Sequence, residues 1–101
     1  MLTTRDLAII RAALQFFDEE ISPHGPEVAK PYFETPLEDD LTAEEIGQLR
    51  ELLQSTELSY VRCDQSRTHV LSQELLTFEK LQRIPHQSEE DFATVLLTSA
   101  R

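Results

Sequence analysis

Prolines limit the fold of this chain more than any other sequence feature. Four of the five prolines lie in the stretch SPHGPEVAKPYFETPLEDD, residues 22–40. Because proline lacks an amide donor and restricts the residue before it, this stretch cannot form one long helix or strand. We therefore expect an ordered but irregular connection. The sequence leaves two alternatives for residues 22–40, a loop packed on the core and a mobile loop. Its apolar residues, expected to lie across the core, are Val28, Tyr32, Phe33 and Leu37.

Apolar periodicity predicts a helix on each side of this loop. The first runs over residues 4–21, where apolar side chains recur at spacings of three and four and so form one stripe. The stripe consists of Leu7, Ile10, Leu14, Phe17 and Ile21. The second helix follows Thr42, because Thr42 and Glu45 have the capping-box spacing. Its expected buried face consists of Ile46, Leu49, Leu52 and Leu53.

The second half of the chain predicts a short hairpin followed by two further helices. The segment LSYVRC alternates as a strand does, DQSR is polar and turn-like, and THVL can return as a second strand. A helix is expected over residues 72–84, capped by Ser72 and stopped by Pro85. A last helix is expected from Ser88, with Asp91 three residues further on.

These elements define the expected fold class. It is α+β, mainly α, with about four helices and one small β-hairpin near residues 58–71. A chain of 101 residues lies near the commonest domain size and can bury a core without disulfides. We therefore expect residues 1–101 to form a single small acidic globular domain.

Charge narrows the classes of partner. The net charge is −10, and residues 1–57 carry four basic and thirteen acidic residues, whereas residues 58–101 carry five and six. Such a field repels phosphate backbones and anionic lipid surfaces, so we expect neither direct nucleic-acid binding nor a membrane partner. No apolar run approaches the roughly 20 residues of a membrane span. With a single cysteine and no secretory signal pattern, the chain is expected to be cytoplasmic.

The stretch YVRCDQSRTHVL, residues 60–71, contains the ingredients of a thiol catalytic site. A two-residue hairpin loop places Cys63 and His69 on opposite faces of the sheet, whereas a three-residue loop makes them direct cross-strand neighbours. In a helix they lie about 120° apart. A thiolate nucleophile also needs an oriented base and an oxyanion hole. Because free cysteine behaves as a small buried hydrophobe, a structural Cys63 is the favoured interpretation.

No pattern indicates a metal or cofactor. The three histidines and Cys63 are scattered and lack the paired short spacing of a zinc site. The acidic runs at 38–40 and 89–91 lack the alternating oxygen ligands and central glycine of an EF-hand loop. Phosphate-binding loops and dinucleotide fingerprints are missing from the sequence, so we expect no cofactor, no metal and no enzymatic activity.

The leading functional hypothesis is a protein-interaction module, a small cytoplasmic homodimer acting through surface contacts. The first helix carries a second apolar flank beside its stripe, and a helix apolar over half its circumference must be covered on two sides. A partner subunit is one cover, and the proline-rich loop of the same chain is the other. The residues expected at the dimer contact are Ile9, Ala13, Phe16, Tyr32 and Phe33.

Two other functions remain as alternatives. The first is an acidic charge mimic, an inhibitor that presents carboxylates to a basic, nucleic-acid-binding protein. Its acidic face consists of Asp18, Glu19, Glu20, Glu38, Asp39, Asp40, Glu44 and Glu45. This hypothesis requires those carboxylates to cluster in space. The second alternative is a small thiol enzyme that uses Cys63.

Overall fold

The computed structural model describes residues 1–85 and 89–98, and in these the chain forms a mainly helical α+β fold. The four α-helices are α1 (Thr4–Phe16), α2 (Pro26–Ala29), α3 (Ala43–Gln54) and α4 (Phe78–Arg83). Two strands, β1 (Glu57–Asp64) and β2 (Glu90–Leu97), form an antiparallel sheet. The predicted fold class is confirmed.

Contacts within the chain group the residues into two compact units. Residues Arg5–Ser55 form the first, which we call the helical unit. Met1–Thr4 and the described residues from Thr56 onward form the second, which we call the sheet unit. The single-domain organisation stays a prediction.

The first helix has the predicted extent but changes its winding near the end. After Phe16 the chain continues as a wider π-helical turn over Phe17–Ile21 and then as a 3-10 turn over Ser22–His24. Three acidic residues in this turn oppose the helix dipole. Asp18 is held by Arg50, whose Nη1 donates to the Asp18 carboxylate over 2.6 Å. Leu7 is buried, but Ile10, placed on the same predicted stripe, is exposed.

The proline-rich connection is more regular than expected. It contains α2 and a 3-10 turn, Lys30–Tyr32, because Pro26 and Pro31 occupy early helical positions where a missing amide costs nothing. Gly25 precedes α2 with a φ of 95°, a conformation that side chains disfavour. Ala29 is buried, whereas the predicted core residues Val28, Tyr32 and Leu37 are exposed. Their expected placement across the core is therefore wrong.

The third helix begins as its sequence predicts. Thr42 accepts a hydrogen bond from the Glu45 amide over 3.2 Å, and Glu45 accepts one from the Thr42 amide over 3.0 Å. This capping box satisfies two amides at the helix start. Ile46 is buried, but Leu49, expected on the same face, is exposed.

The sheet corrects the prediction for the C-terminal segment. Residues 90–97 form β2 rather than a helix, in register from Glu57 opposite Leu97 to Asp64 opposite Glu90. Ser88, the predicted start of that helix, lies outside the described residues. The short apolar run after Asp91 fits strand and helix alike. The eight-residue ladder with β1 gives alternate residues of this segment backbone hydrogen-bond partners, which a local capping pattern does not provide.

Residues 69–76 return along the other edge of β1 and replace the first part of the predicted helix over 72–84. Leu76 and Tyr60 exchange two backbone hydrogen bonds of 2.7 and 2.9 Å. That pairing delays the helix until Thr77, which caps α4 by accepting from the Lys80 amide. Ser72, the predicted cap, accepts only from the Glu74 amide. The predicted stop at Pro85 is consistent with the end of α4 at Arg83.

The core of the sheet unit lies around β1. Its buried residues are Thr56, Tyr60, Val61, Cys63 and Leu76. The Tyr60 hydroxyl donates to the Leu2 carbonyl over 2.6 Å, and the Leu2 amide donates to Thr94 Oγ1 over 3.2 Å. Because Thr94 pairs with Tyr60 in the sheet, the first residues of the chain cross that sheet face. The Phe78 ring packs at a tilt against Tyr60, with centroids 6.1 Å apart.

Candidate functional site

An exposed apolar stripe runs along α1, and we call it the α1 flank: Ile9, Ala13 and Phe16. Spacings of four and three place these residues on one helix face. Ile9 is 57% exposed and Phe16 is 61% exposed, and Ala13 is exposed as well. The alternative that the proline-rich loop covers this flank fails, because these side chains remain open to solvent.

The two other residues of the predicted dimer contact behave differently from each other. Tyr32 is 70% exposed at the end of the 3-10 turn. Phe33 is half-buried and lines a cavity of the loop. Tyr32 is thus available to a partner, whereas Phe33 contributes to the internal surface of the helical unit.

Polar residues bound the α1 flank at both ends. Arg5 lies four residues before Ile9, and Glu20 lies four residues after Phe16, and both are exposed. Ala12 lies beside Ala13 at the middle of the stripe. Along the helix the surface therefore presents, in order, a cation, a large apolar side chain, two small residues, a second large apolar side chain and an anion: Arg5, Ile9, Ala12, Ala13, Phe16 and Glu20.

The eight predicted acidic residues divide into two groups. Four have partners within the helical unit: Asp18 with Arg50, Glu19 with Gln15, Asp40 with Lys30 and Glu45 with the Thr42 amide. The carboxylates of the other four, Glu20, Glu38, Asp39 and Glu44, form no hydrogen bond or ion pair with any described residue. The acidic residues are thus partly structural, and the set does not form one uniform face of free carboxylates.

Cations of the helical unit are largely engaged internally. Arg50 pairs with Asp18 over 2.6 Å, and the side chains of both are about three-quarters buried. Arg11 Nε donates to the Leu53 carbonyl over 2.7 Å at the end of α3, where a cation suits the helix dipole. Lys30 pairs with Glu27 over 2.6 Å, and this hydrogen bond raises the Lys30 pKa. The unpaired carboxylates therefore dominate the field of this unit.

Sequence reasoning missed an apolar groove in the proline-rich segment. A cavity of about 80 Å³ is lined by six apolar residues together with Lys30, Asp39 and Asp40. The apolar lining consists of Pro26, Ala29, Phe33, Pro36, Leu37 and Leu41. A second cavity of about 130 Å³ shares three of these residues and extends to Phe17. We call the two together the loop groove. The prolines and aromatic residues at 31–36 indicate an ordered loop. The positions of Leu41 and Phe17 beside this loop follow only from the fold.

Cys63 and His69 do not form a catalytic pair. Cys63 lies opposite Val70, and Asp64 donates its amide to the His69 carbonyl, so the turn is longer than either predicted hairpin loop. Cys63 is 2% exposed, and burial raises the pKa of its thiol, with a further increase from the Asp91 and Asp64 carboxylates. A buried, protonated thiol is a poor nucleophile.

His69 instead belongs to a turn organised by Asp64. The Asp64 carboxylate accepts from the amides of Thr68 and His69 over 2.9 and 3.2 Å, and from both of their side chains. Burial acts to raise the Asp64 pKa, but these hydrogen bonds outweigh it and lower the pKa strongly. Arg67, with a φ of 58°, completes the turn and pairs with Asp91 over 2.9 Å. These hydrogen bonds and the Arg67–Asp91 ion pair hold the turn after β1 together.

Metal ligands do not cluster in residues 1–85 and 89–98, where no group of three or more His, Cys, Asp or Glu side chains is placed to hold an ion. Within the same ranges, none of the helices has the length and apolar character that crossing a membrane requires. No protein-family model, curated protein or solved structure matches this chain. The functional inferences below therefore rest on the geometry of the α1 flank and the loop groove.

Proposed function

We propose that the protein is a non-enzymatic interaction module that forms a homodimer through the α1 flank. The observation that carries this proposal is the exposure of Ile9 and Phe16 on one face of a 13-residue helix. Exposed apolar stripes of this kind are characteristic of contact surfaces. A buried free cysteine needs no oxidising compartment, so we also propose that the dimer acts in the cytoplasm.

A second copy fits this flank because the flank is self-complementary. Two antiparallel α1 helices related by a two-fold axis between Ala12 and Ala13 place Ile9 of each chain against Phe16 of the other. The same operation places Arg5 near Glu20 of the other chain, so opposite charges meet at both ends. Small residues at the crossing point allow the helix axes to approach within about 8 Å. Isologous pairing of this kind is the commonest form of homodimer.

Size and charge predict a dimer of moderate affinity. A helix of 13 residues is about 20 Å long, so its contact lies at the small end of specific interfaces. Each chain also carries a net charge of −10, and the two chains repel each other at low salt. We therefore expect a micromolar dimer that becomes tighter as salt is raised.

Light scattering coupled to size exclusion tests the proposal. At about 100 μM protein and 300 mM NaCl the expected mass is near twice the chain mass of 11.6 kDa. Phe16→Glu is expected to give monomers with an unchanged circular dichroism spectrum, because the side chain is already exposed in the monomer. Leu71→Glu, another exposed apolar residue, is the matched control and is expected to remain dimeric.

Charge reversal provides a second, independent check of the antiparallel arrangement. Arg5→Glu is expected to weaken the dimer by about two- to fivefold, since exposed ion pairs contribute little. Arg5→Glu combined with Glu20→Arg is expected to restore it. A wild-type chain that stays monomeric at 100 μM, or a dimer insensitive to Phe16→Glu, would contradict the proposal.

The charge-mimic alternative has weaker support. Asp18 and Glu45 are used to hold the helical unit together, so they are poorly placed to imitate free phosphates. The unpaired acids Glu38 and Asp39 lie instead in the loop that forms the groove. These two carboxylates suit a basic peptide segment of a partner better than they suit the broad phosphate-binding surface of a nucleic-acid-binding protein. Because Cys63 is buried, a thiol enzyme is not proposed.

A further inference from the structure

We propose that the loop groove binds a short, extended, basic segment of a partner protein, which inserts small aliphatic side chains between the prolines and Leu41. This binding site is separate from the homodimer of the α1 flank and does not rest on it. The proposal depends on the shape, the charge and the pre-organisation of the groove.

The dimensions of the groove favour an aliphatic anchor over an aromatic one. The cavity of about 80 Å³ is smaller than the roughly 150 Å³ of an apolar cavity that accommodates benzene. A valine or leucine side chain suits this space better than a phenylalanine or tryptophan. The neighbouring cavity of about 130 Å³ shares Pro26, Ala29 and Leu41 with the first. Two adjacent cavities accommodate two anchors, and alternate residues of an extended peptide point to the same side.

The rim of the groove selects a positively charged segment. Asp39 and Asp40 line the first cavity, and Lys30 is the cation of that lining. Lys30 pairs with Glu27 over 2.6 Å and lies 4.0 Å from Asp40, so it neutralises part of this rim. The Asp39 carboxylate has no partner among the described residues. A lysine or arginine beside the first anchor would therefore meet a free carboxylate.

The backbone of the groove is constrained before any ligand arrives. Pro26, Pro31 and Pro36 fix their own φ angles, and helical turns enclose the first two. A pre-organised site loses less conformational entropy on binding than a flexible loop does. Recognition of an extended peptide through pockets for its alternate side chains is a recurrent form of peptide binding.

Fluorescence anisotropy with a defined peptide tests the proposal. The probe is fluorescein-labelled KLKLK with an amidated C-terminus, titrated with the full chain at 50 and 300 mM NaCl. We expect saturable binding that weakens as salt rises, because charged groups at the rim steer the peptide. The peptides KSKSK and ELELE separate the two contributions, and each is expected to bind at least about tenfold more weakly.

Matched variants locate the binding site. Asp39→Asn with Asp40→Asn is expected to weaken KLKLK binding by about three- to tenfold, whereas Glu74→Gln with Glu79→Gln removes the same charge in the sheet unit and is expected to have little effect. Leu37→Ser is expected to weaken binding, and Val28→Ser, at an exposed aliphatic residue outside the groove, is its control. Circular dichroism of each variant verifies folding.

Three results would overturn the proposal. Equal binding of KLKLK and KSKSK would mean plain charge attraction without an anchor. Equal losses of KLKLK affinity in the groove variants and in their controls would mean that the peptide binds outside the groove. Loss of KLKLK binding in Ile9→Glu, a variant designed to block dimer formation, would place the peptide on the α1 flank or in a dimer site instead. Retained binding in an Ile9→Glu monomer supports a groove independent of the homodimer.

Discussion

The sheet unit and the helical unit use their side chains in different ways. In the sheet unit, Tyr60, Val61, Cys63 and Leu76 are buried around a single strand. In the helical unit, the buried residues are Leu7, Ala29 and Ile46, and large apolar side chains such as Ile9 and Phe16 lie on the surface. The sheet unit exposes large apolar side chains as well, but they are divided among the first residue, the segment before α4, the start of α4 and the end of β2: Met1, Val70, Leu71, Leu75, Phe78, Leu96 and Leu97.

The two units also differ in net charge. The helical unit has four basic and twelve acidic residues, whereas residues 58–101 are nearly balanced. A surface that combines exposed apolar groups with an excess of one charge is suited to contact with other molecules. The comparison shows that more residues are buried in the sheet unit, whereas both proposed contact surfaces lie in the helical unit.

The largest expected effect comes from the core of the sheet unit. Leu76→Ala removes a buried side chain that packs beside β1, and we expect the free energy of unfolding to fall by about 2–5 kcal/mol. Urea denaturation followed by circular dichroism measures this loss. Leu71→Ala, at an exposed position five residues earlier, should change stability by less than about 0.5 kcal/mol. Similar losses of unfolding free energy at both positions would mean that Leu76 contributes no more to the core than the exposed Leu71 does.

The next effect concerns the link between the first residues and β1. Tyr60→Phe deletes the hydroxyl that donates to the Leu2 carbonyl, and we expect a loss of about 1 kcal/mol because a half-buried carbonyl loses its donor. Tyr32→Phe removes the same group from an exposed ring and should be neutral. Thermal unfolding of the two variants side by side provides the measurement, and equal melting temperatures would contradict the expected role of Tyr60.

A smaller effect is expected from the ion pair of the helical unit. Asp18→Asn and Arg50→Gln, with the double variant, form a thermodynamic cycle around a contact of 2.6 Å. We expect a coupling free energy of about 0.5–1 kcal/mol, because the pair is partly screened by solvent. A coupling of zero would mean that the π-helical turn holds its geometry without Arg50.

The effect of Asp64→Asn depends on pH. At neutral pH we expect a loss no larger than that of the ion pair, because the amide oxygen still accepts from the two backbone amides of the turn, although it lacks the charge that these amides stabilise. The difference should appear in acid. Since the folded pKa of Asp64 is lowered, its carboxylate stabilises the fold fully above the unfolded value near 3.9 and loses this contribution as pH falls. Asp91 acts in the same sense, because the Phe92 amide and then Arg67 lower its pKa.

Melting temperatures between pH 2 and pH 7 check this prediction. The wild-type chain should lose stability more steeply below pH 4 than Asp64→Asn does. Ser66→Ala, in the same turn but without a titratable group, is the control and should follow the wild-type slope. Parallel curves for the wild type and Asp64→Asn would mean that the carboxylate contributes nothing to acid sensitivity.

Local sequence signals predicted the elements that depend on neighbouring residues. The Thr42–Glu45 capping box, the extent of the first helix and the strand after residue 57 all follow from interactions within a few positions. The composition of the α1 flank was predicted in the same way, because residues three and four apart share a helix face. Exposure of that flank was not predictable, since two alternative covers were open.

Long-range pairing decided the remainder. Residues 90–97 form a strand because they pair with one edge of β1, which lies more than 25 residues earlier in the chain. Leu76 was predicted in a helix, but it pairs with Tyr60 on the other edge of the same strand. The register that separates Cys63 from His69 depends on a turn that Asp64 closes with its own carboxylate. The loop groove likewise depends on Phe17 and Leu41 lying beside the prolines.

The sequence by itself determined where helices can begin, where prolines prevent them and how unevenly charge is distributed, because these properties arise from covalent geometry and near neighbours. Only the tertiary structure decided which apolar residues are buried, which strands pair and which carboxylates remain unpaired. The physical reason is that burial and strand pairing are satisfied by residues distant in the chain, and local propensity of less than about 1 kcal/mol per residue yields to them.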